Sequence, residues 1–194
     1  ESRKKRMGVH KRYGLAITDC LFMTSRDGRR WDRWDEAFMT PGPERPNNWV
    51  YGDCFPSVGM IETASDLLPD APNELSMYAK EGHWSQQPAK LRRYTIRIDG
   101  FVCYKAAYKP NVIVTRPFTF EGSRLSINFA TSARGYVNIK LVSEDRTLHS
   151  VELFGDQLDK TVPFADGEIA ALSGKPVTME ITMRDAELFS FQFQ

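Results

Sequence analysis

The feature that most constrains this chain is a period-two alternation of apolar and polar side chains in short segments bounded by turn residues. Residues 15–24 alternate in this way, the dipeptide Asp27-Gly28 follows, and residues 31–39 resume the pattern. Alternation with period two is typical of half-buried β-strands, and Asp-Gly favours a tight turn between them. We therefore predict an all-β fold built from antiparallel sheets.

A second Asp-Gly turn, Asp99-Gly100, lies between two further strand candidates. Each Asp-Gly pair follows an alternating strand and precedes an aromatic-bearing one, which suggests an internal repeat of sheet blades joined by long loops. Two unrelated hairpins with the same favoured turn chemistry are the alternative. The strand candidates after the first hairpin are residues 54–63, 74–79, 91–98 and 101–106.

The pattern of strand candidates changes near residue 109, where the expected strands become shorter and more evenly spaced. Turn signals such as Ala133-Arg134-Gly135 separate them, and residues 168–172 form a short helical candidate. This spacing indicates a β-sandwich. In residues 188–193, three phenylalanines alternate with polar residues, which predicts an aromatic face turned toward a core. The strand candidates are residues 112–118, 125–131, 136–143, 150–154, 177–183 and 187–193.

Charge and cysteine content exclude several function classes. Lys and Arg number 26 against 25 Asp and Glu, a net charge of +1, which argues against a strongly basic nucleic-acid binder. No apolar run approaches the roughly 20 residues of a membrane helix. The three cysteines lack CxxC spacing and the three histidines are scattered, so we expect no metal site, no cofactor and inert thiols in apolar strands.

Residues 18–34, 91–102 and 172–191 carry patterns like those of a known family. They resemble segments of bacterial proteins similar to glycoside hydrolase family 32, in a poorly characterised subgroup. The resemblance covers residues 13–193 and is strongest over 91–193. In that family such segments imply the last blades of a five-bladed β-propeller and a C-terminal β-sandwich. The segments are Thr18-Asp…Leu21-Phe22-Met23-Thr24-Ser25-Arg26-Asp27-Gly28…Trp31…Arg33-Trp34, Leu91-Arg92-Arg93-Tyr94-Thr95-Ile96-Arg97-Ile98-Asp99-Gly100-Phe101-Val102, and Leu172-Ser173-Gly174-Lys175-Pro176-Val177…Met183-Arg184-Asp185-Ala186-Glu187-Leu188-Phe189-Ser190-Phe191.

Taken together, these patterns divide the chain near residue 108. Residues 1–108 are expected to form the last one to two propeller blades, and residues 109–194 a β-sandwich module. The chain begins at Glu1 without a signal peptide, so we expect a processed or excised piece of a longer protein. The family's Asn-Asp-Pro and Arg-Asp-Pro motifs do not occur, and its Glu-Cys motif has only a faint echo in Asp53-Cys54. The resemblance to this family implies a secreted or periplasmic protein.

Glycoside hydrolysis needs two carboxylates, about 5–5.5 Å apart for retention and roughly 6.5–9.5 Å for inversion. The catalytic candidates are Asp53, Glu62 and Glu81, with solvated or capping carboxylates as the plainer interpretation. An aromatic platform for a sugar ring needs flat apolar faces beside polar groups. The carbohydrate-binding candidates are Trp49, Tyr51, His83 and Trp84, whose alternative role is packing of loops against the sheet.

Three hypotheses about function follow. The first is the C-terminal portion of a glycosidase-like, carbohydrate-active protein, which supports the propeller and catalyses O-glycosyl cleavage only with the missing blades. Its open blade edges would be covered by that missing part or by a second copy of the chain. The second is a free-standing carbohydrate-binding β-sandwich module without hydrolytic activity. The third is a complete small hydrolase that uses Asp53 and Glu81.

Overall fold

A computed structural model of the chain describes residues 16–45, 48–83 and 88–194. The fold is all-β, and the strand pairs whose register is defined are antiparallel, as predicted. Contacts divide the chain into two compact units, Glu1–Ile96 and Arg97–Gln194. Across the described ranges, no helix has the length and apolar character that crossing a membrane requires.

The part of the first unit that the structure describes holds six strands in two sheets. The hairpin of β1 and β2 forms one sheet, and β5 pairs with β3, β4 and β6 in the other. Its small core contains Met39, Cys54, Met77 and Ala79. The strands are β1 (Cys20–Thr24), β2 (Asp32–Met39), β3 (Phe55–Pro56), β4 (Ile61–Thr63), β5 (Glu74–Glu81) and β6 (Lys90–Arg97).

The single strand expected over residues 54–63 is wrong, because the structure breaks it into β3 and β4. Phe55 pairs with Lys80 of β5, whereas Ile61 pairs with Ser76. Between these pairs, five residues on one side therefore lie opposite three on the other, and the two extra residues form a bulge. Gly59, with φ of 90°, accommodates the bulge at little conformational cost.

The second unit is one six-stranded sheet organised by two long strands, β9 and β12. The helix expected at residues 168–172 is a single 3-10 turn, Ile169–Leu172. The strand expected at 150–154 is reduced to isolated bridges at Ser150 and Leu153. The strands are β7 (Tyr104–Ala106), β8 (Asn111–Val114), β9 (Leu125–Val142), β10 (Thr147–His149), β11 (Asp156–Thr161) and β12 (Thr178–Phe193).

Each long strand replaces two expected shorter ones, and the expected turn at 133–135 is a bulge within β9. Thr131 pairs with Ala186 and Tyr136 with Arg184, so residues 132–135 lie opposite the single residue Asp185. At Asp185 the alternation of β12 also shifts by one residue, which changes the positions that face the core. The buried positions of β12 are therefore Met179, Ile181 and Met183 before Asp185, and Ala186 and Leu188 after it.

The buried side chains of both halves of the sheet form one cluster. Leu125, Ile127 and Phe129 come from the first half of β9, and Ile139 and Leu141 from the second. Because one buried core serves both halves of the sheet, the unit is sandwich-like.

The structure divides the chain between Ile96 and Arg97 rather than near residue 108. The reason is β7, which pairs with β12 of the second unit. The Asp99-Gly100 turn therefore connects two sheets and closes no hairpin, so the internal repeat suggested by the two Asp-Gly turns is wrong. Asp99 does occupy a turn, with φ of 58°, and Gly100 N–H donates to Arg97 O at 3.0 Å.

The three phenylalanines near the C-terminus do not share one face, as their alternation predicted. Phe193 packs against the core and stacks on Phe120, with ring centroids 4.1 Å apart. Phe191 is exposed, and a register shift places Phe189 beneath the Arg97 guanidinium, 4.3 Å from the ring centroid. Arg97 also bonds to Asn128 Oδ1 at 2.7 Å, so the start of the second unit is fastened to its sheet.

Candidate functional site

The loop before β3 is fixed by a buried amide. Asn48 Nδ2 donates to Pro41 O at 2.8 Å and to Pro43 O at 2.9 Å, while its Oδ1 accepts from Arg45 N at 2.7 Å. Trp49 Nε1 donates to Gly42 O at 2.8 Å. These bonds satisfy the carbonyl groups of a proline-rich segment that cannot form a sheet ladder, and they give the loop one defined shape.

Asp53 is fully buried and holds the end of this loop against β5. Its Oδ2 accepts from Val50 N at 3.0 Å, and its Oδ1 accepts from Gly82 N at 2.6 Å. Its main-chain carbonyl accepts from Thr18 Oγ1 at 2.9 Å. Buried carboxylates are stable only when such donors replace water, so Asp53 is a structural acceptor for two backbone N–H groups.

Glu81, the last residue of β5, lies between two arginines. Its Oε1 accepts from Arg45 Nη2, and its Oε2 accepts from Arg92 Nε at 2.8 Å. The Glu81 side chain is only 8% exposed, whereas the two arginine side chains are about two-fifths exposed. Both carboxylate oxygens are therefore engaged by cations of the same unit, and β6 and the loop are linked through one residue.

The structure brings Asp53 and Glu81 together and leaves Glu62 elsewhere. The bonds Cys54 N to Lys80 O, at 3.0 Å, and Gly82 N to Asp53 Oδ1 bracket Glu81. Glu62 pairs with Leu75, six residues back along β5, which corresponds to about 20 Å at the usual rise of a strand. Its exposed carboxylate accepts from Asn73 Nδ2 at 2.8 Å. Of the three catalytic candidates, only Asp53 and Glu81 therefore lie in the same part of the unit.

Three of the expected sugar-binding residues lie on the segments that Asp53 joins. Trp49 is half-buried and adopts a φ of 61°, a left-handed conformation that is uncommon for an aromatic residue. Tyr51 is half-buried and meets the Phe55 ring edge-on, with centroids 6.2 Å apart. His83 is half-buried and follows Gly82. Trp84 lies outside the described residues.

The thiol beside Asp53 is not poised for nucleophilic chemistry. Burial, and secondarily the charge of Asp53, raises the pKa of Cys54 to about 11 from 9.0, against the opposing effect of a hydrogen bond with Tyr94. A thiol with so high a pKa carries little thiolate at neutral pH. All three cysteines are free, and Cys103 is exposed, so the expectation of an apolar strand environment is wrong for that residue.

No protein-family model, curated protein or solved structure matches this chain.

Sequence reasoning missed the residues that hold the carboxylates in place. Arg45 and Arg92 meet at Glu81 from positions 36 and 11 residues away, and Thr18 reaches Asp53 from 35 residues away. No local motif encodes these contacts. The run Asn48–Asp53 carried the one available signal, because Asn and Asp that bracket a Trp-Val-Tyr-Gly segment favour side-chain bonding to the backbone of a turn.

Proposed function

We propose that this chain is a carbohydrate-contacting portion of a glycosidase-like protein and is not a complete catalyst by itself. The proposal rests on the hydrogen bonds that occupy the carboxylates of Asp53 and Glu81. Asp53 accepts two backbone N–H groups, and Glu81 accepts two guanidinium groups. A general acid or nucleophile needs an oxygen directed at substrate, whereas these oxygens are directed at the chain.

The proposal assigns Asp53 and Glu81 a positioning role. Together they hold the loop that carries Trp49 and Tyr51 against the end of β5, where His83 follows. Strained backbone such as that of Trp49 persists when its surroundings over-determine it, and it is concentrated at functional sites. Two aromatic residues on a loop that is bonded to Gly82, the residue before His83, suit the apolar face and the hydroxyl groups of a sugar.

The first unit also offers sheet surface that further blades would cover. Among the residues that the structure describes, the β1–β2 sheet has two strands, and such a hairpin is marginal in water on its own. Met23 and Trp31 on or beside it are 44% and 55% exposed. We expect these strands to associate with the remaining propeller blades or with a second copy of the chain. If a second copy of the chain covers this surface, light scattering of the purified chain should give a mass above that of one 22.2 kDa chain.

A binding and turnover experiment tests the function. The full chain is titrated with a panel of oligosaccharides while tryptophan fluorescence is recorded, and aryl glycosides are assayed in parallel. We expect a saturable change with at least one oligosaccharide, weakened by about tenfold in Tyr51→Ala, which keeps all four tryptophans. Trp31→Phe is the control and should bind as the parent chain does.

Two outcomes would overturn the proposal. One is the absence of binding to every saccharide tested. The other is turnover of aryl glycosides that disappears in both Asp53→Asn and Glu81→Gln while each variant stays folded, because that result would make the chain a complete hydrolase.

A further inference from the structure

The middle of the long β9–β12 hairpin contains a cleft that the function above does not use. Residues 132–135 of β9 lie opposite the single residue Asp185, with residues 132–134 exposed and Gly135 buried. Gly135 permits this arrangement, because a Cβ there would lie 2.2 Å from Asp185 O. Asp185 itself has a φ of 43°, in the left-handed region. The bulge is thus a defined, strained feature of the kind that proteins place beside binding sites.

The cleft encloses about 230 Å³. This volume is below the 300–1,000 Å³ that is typical of pockets for drug-sized ligands, so it suits a smaller group. Polar side chains and three alanines line it, and the polar ones are Lys105, Thr131, Ser132, Asp185 and Glu187.

The charges in the cleft favour a neutral ligand with many hydroxyl groups. Lys105 Nζ and Glu187 Oε1 form an ion pair at 2.7 Å, so neither is available as an isolated charge. Within the described ranges, no hydrogen bond to the Asp185 carboxylate is found, although it lines the cleft. An anion would meet this carboxylate, and a cation would compete with Lys105. A polyol can instead donate to Asp185 and Glu187 and accept from Lys105 or Ser132.

An aromatic ring packs against Arg184, the residue before the cleft-lining Asp185, without itself lining the cleft. The Arg184 guanidinium carbon lies 4.3 Å from the centroid of the Tyr108 ring, while Tyr108 is 62% exposed. Asp185 N donates to Ala107 O at 2.8 Å, which ties the residue before Tyr108 to the bulge. Tyr108 is therefore oriented on one face and open to solvent elsewhere, as a stacking platform requires.

We propose that this cleft binds one neutral sugar residue of a glycan, with Asp185 and Glu187 as hydroxyl acceptors and Tyr108 as the stacking surface. The inference rests on the proposed function, since it takes carbohydrate as the ligand class. It adds a second contact point that lies wholly within residues 105–187.

The test measures binding of the full chain to immobilised glycans, followed by titration of the bound ones. Asp185→Asn should fold normally, because Asn tolerates the left-handed conformation. We expect Asp185→Asn and Tyr108→Ala to weaken binding by about tenfold or more. Ser132→Ala should weaken it by a smaller factor. Tyr104→Ala is the matched control, because Tyr104 is 67% exposed on β7 but pairs with Leu188, three residues beyond Asp185, and it should bind as the parent chain does.

The outcomes separate this inference from the proposed function. If Tyr108→Ala and Asp185→Asn bind glycan as tightly as the parent chain while Tyr51→Ala loses binding, the cleft inference is wrong and the function of the first unit stands. If Tyr108→Ala and Asp185→Asn lose binding while Tyr51→Ala binds as the parent chain does, the cleft is the glycan site and the loop that carries Trp49 and Tyr51 is not. If the parent chain binds no glycan, both fail.

Discussion

The backbone N–H of Gly82 donates a 2.6 Å hydrogen bond to the buried carboxylate of Asp53. This bond joins the end of β5 to the loop that carries Trp49 and Tyr51, 29 residues earlier in the chain. The second oxygen of Asp53 accepts from Val50 N within the loop. The first two predictions follow from this carboxylate and from its neighbour, Glu81.

Replacing Asp53 by Asn should destabilise the first unit strongly. The amide keeps the shape of the carboxylate, but its NH₂ group would face a backbone N–H donor. We expect a loss of about 2–3 kcal/mol, the usual cost of an unsatisfied buried donor with a lost charged acceptor. Urea unfolding measures it. Glu62→Gln is the exposed control and should change stability by less than about 0.5 kcal/mol. Equal effects for the two variants would contradict the role given to Asp53.

The contacts of Glu81 should be coupled to Arg92. Removing one partner of a buried ion pair leaves the other uncompensated. Since Arg92 is partly exposed, we expect a discounted loss of about 1–3 kcal/mol for Glu81→Gln. A double-mutant cycle of Glu81→Gln with Arg92→Gln measures the coupling. Additivity within about 0.3 kcal/mol would show that the two side chains do not interact.

The raised pKa of Cys54 makes stability depend on pH in the alkaline range. The unfolded thiol titrates near 9.0 and the folded one near 11, so its contribution is complete below pH 9 and is lost as pH rises through 11. We expect this thiol alone to account for about 2–3 kcal/mol of the decline. Urea unfolding at several pH values should show a shallower decline for Cys54→Ala. Identical slopes for the two proteins would contradict the burial assigned to this thiol.

Gly135 tests the bulge in the second unit. A methyl group there would collide with the main-chain oxygen of Asp185, which cannot rotate away. We expect Gly135→Ala to cost more than about 2 kcal/mol. Gly28→Ala is the comparison, because Gly28 has a φ of 69° but open space around it, and the variant should cost about 1 kcal/mol from backbone strain alone. A Gly135→Ala protein as stable as the Gly28 variant would argue against this packing.

The fold class could be predicted from alternation, and so could the position of many strands. The merging of strands could not, because residues 132–135 carry turn chemistry in a place where pairing continues on both sides of a bulge. The pairing partner of β7 could not be predicted either. Asp99-Gly100 has the composition of a hairpin turn, but β7 pairs with β12, about eighty residues later. Pairing over such a separation leaves no local pattern in the sequence.

The candidate site was predictable in part. Asp53 precedes an apolar segment and Glu81 ends an alternating strand, which made both visible as carboxylates at strand ends. Their real partners are backbone N–H groups and arginines from distant segments, so the sequence showed two carboxylates but not what they hold. Alternation also misplaced Phe189, because a register shift in β12 changes its face.

The most direct test of the account is the fluorescence titration of the full chain with oligosaccharides, combined with an assay of aryl glycoside hydrolysis. The account predicts saturable binding of at least one oligosaccharide that is weakened in Tyr51→Ala, without turnover attributable to Asp53 or Glu81. Failure of every saccharide to bind, or hydrolysis that both Asp53→Asn and Glu81→Gln abolish in folded protein, would contradict it.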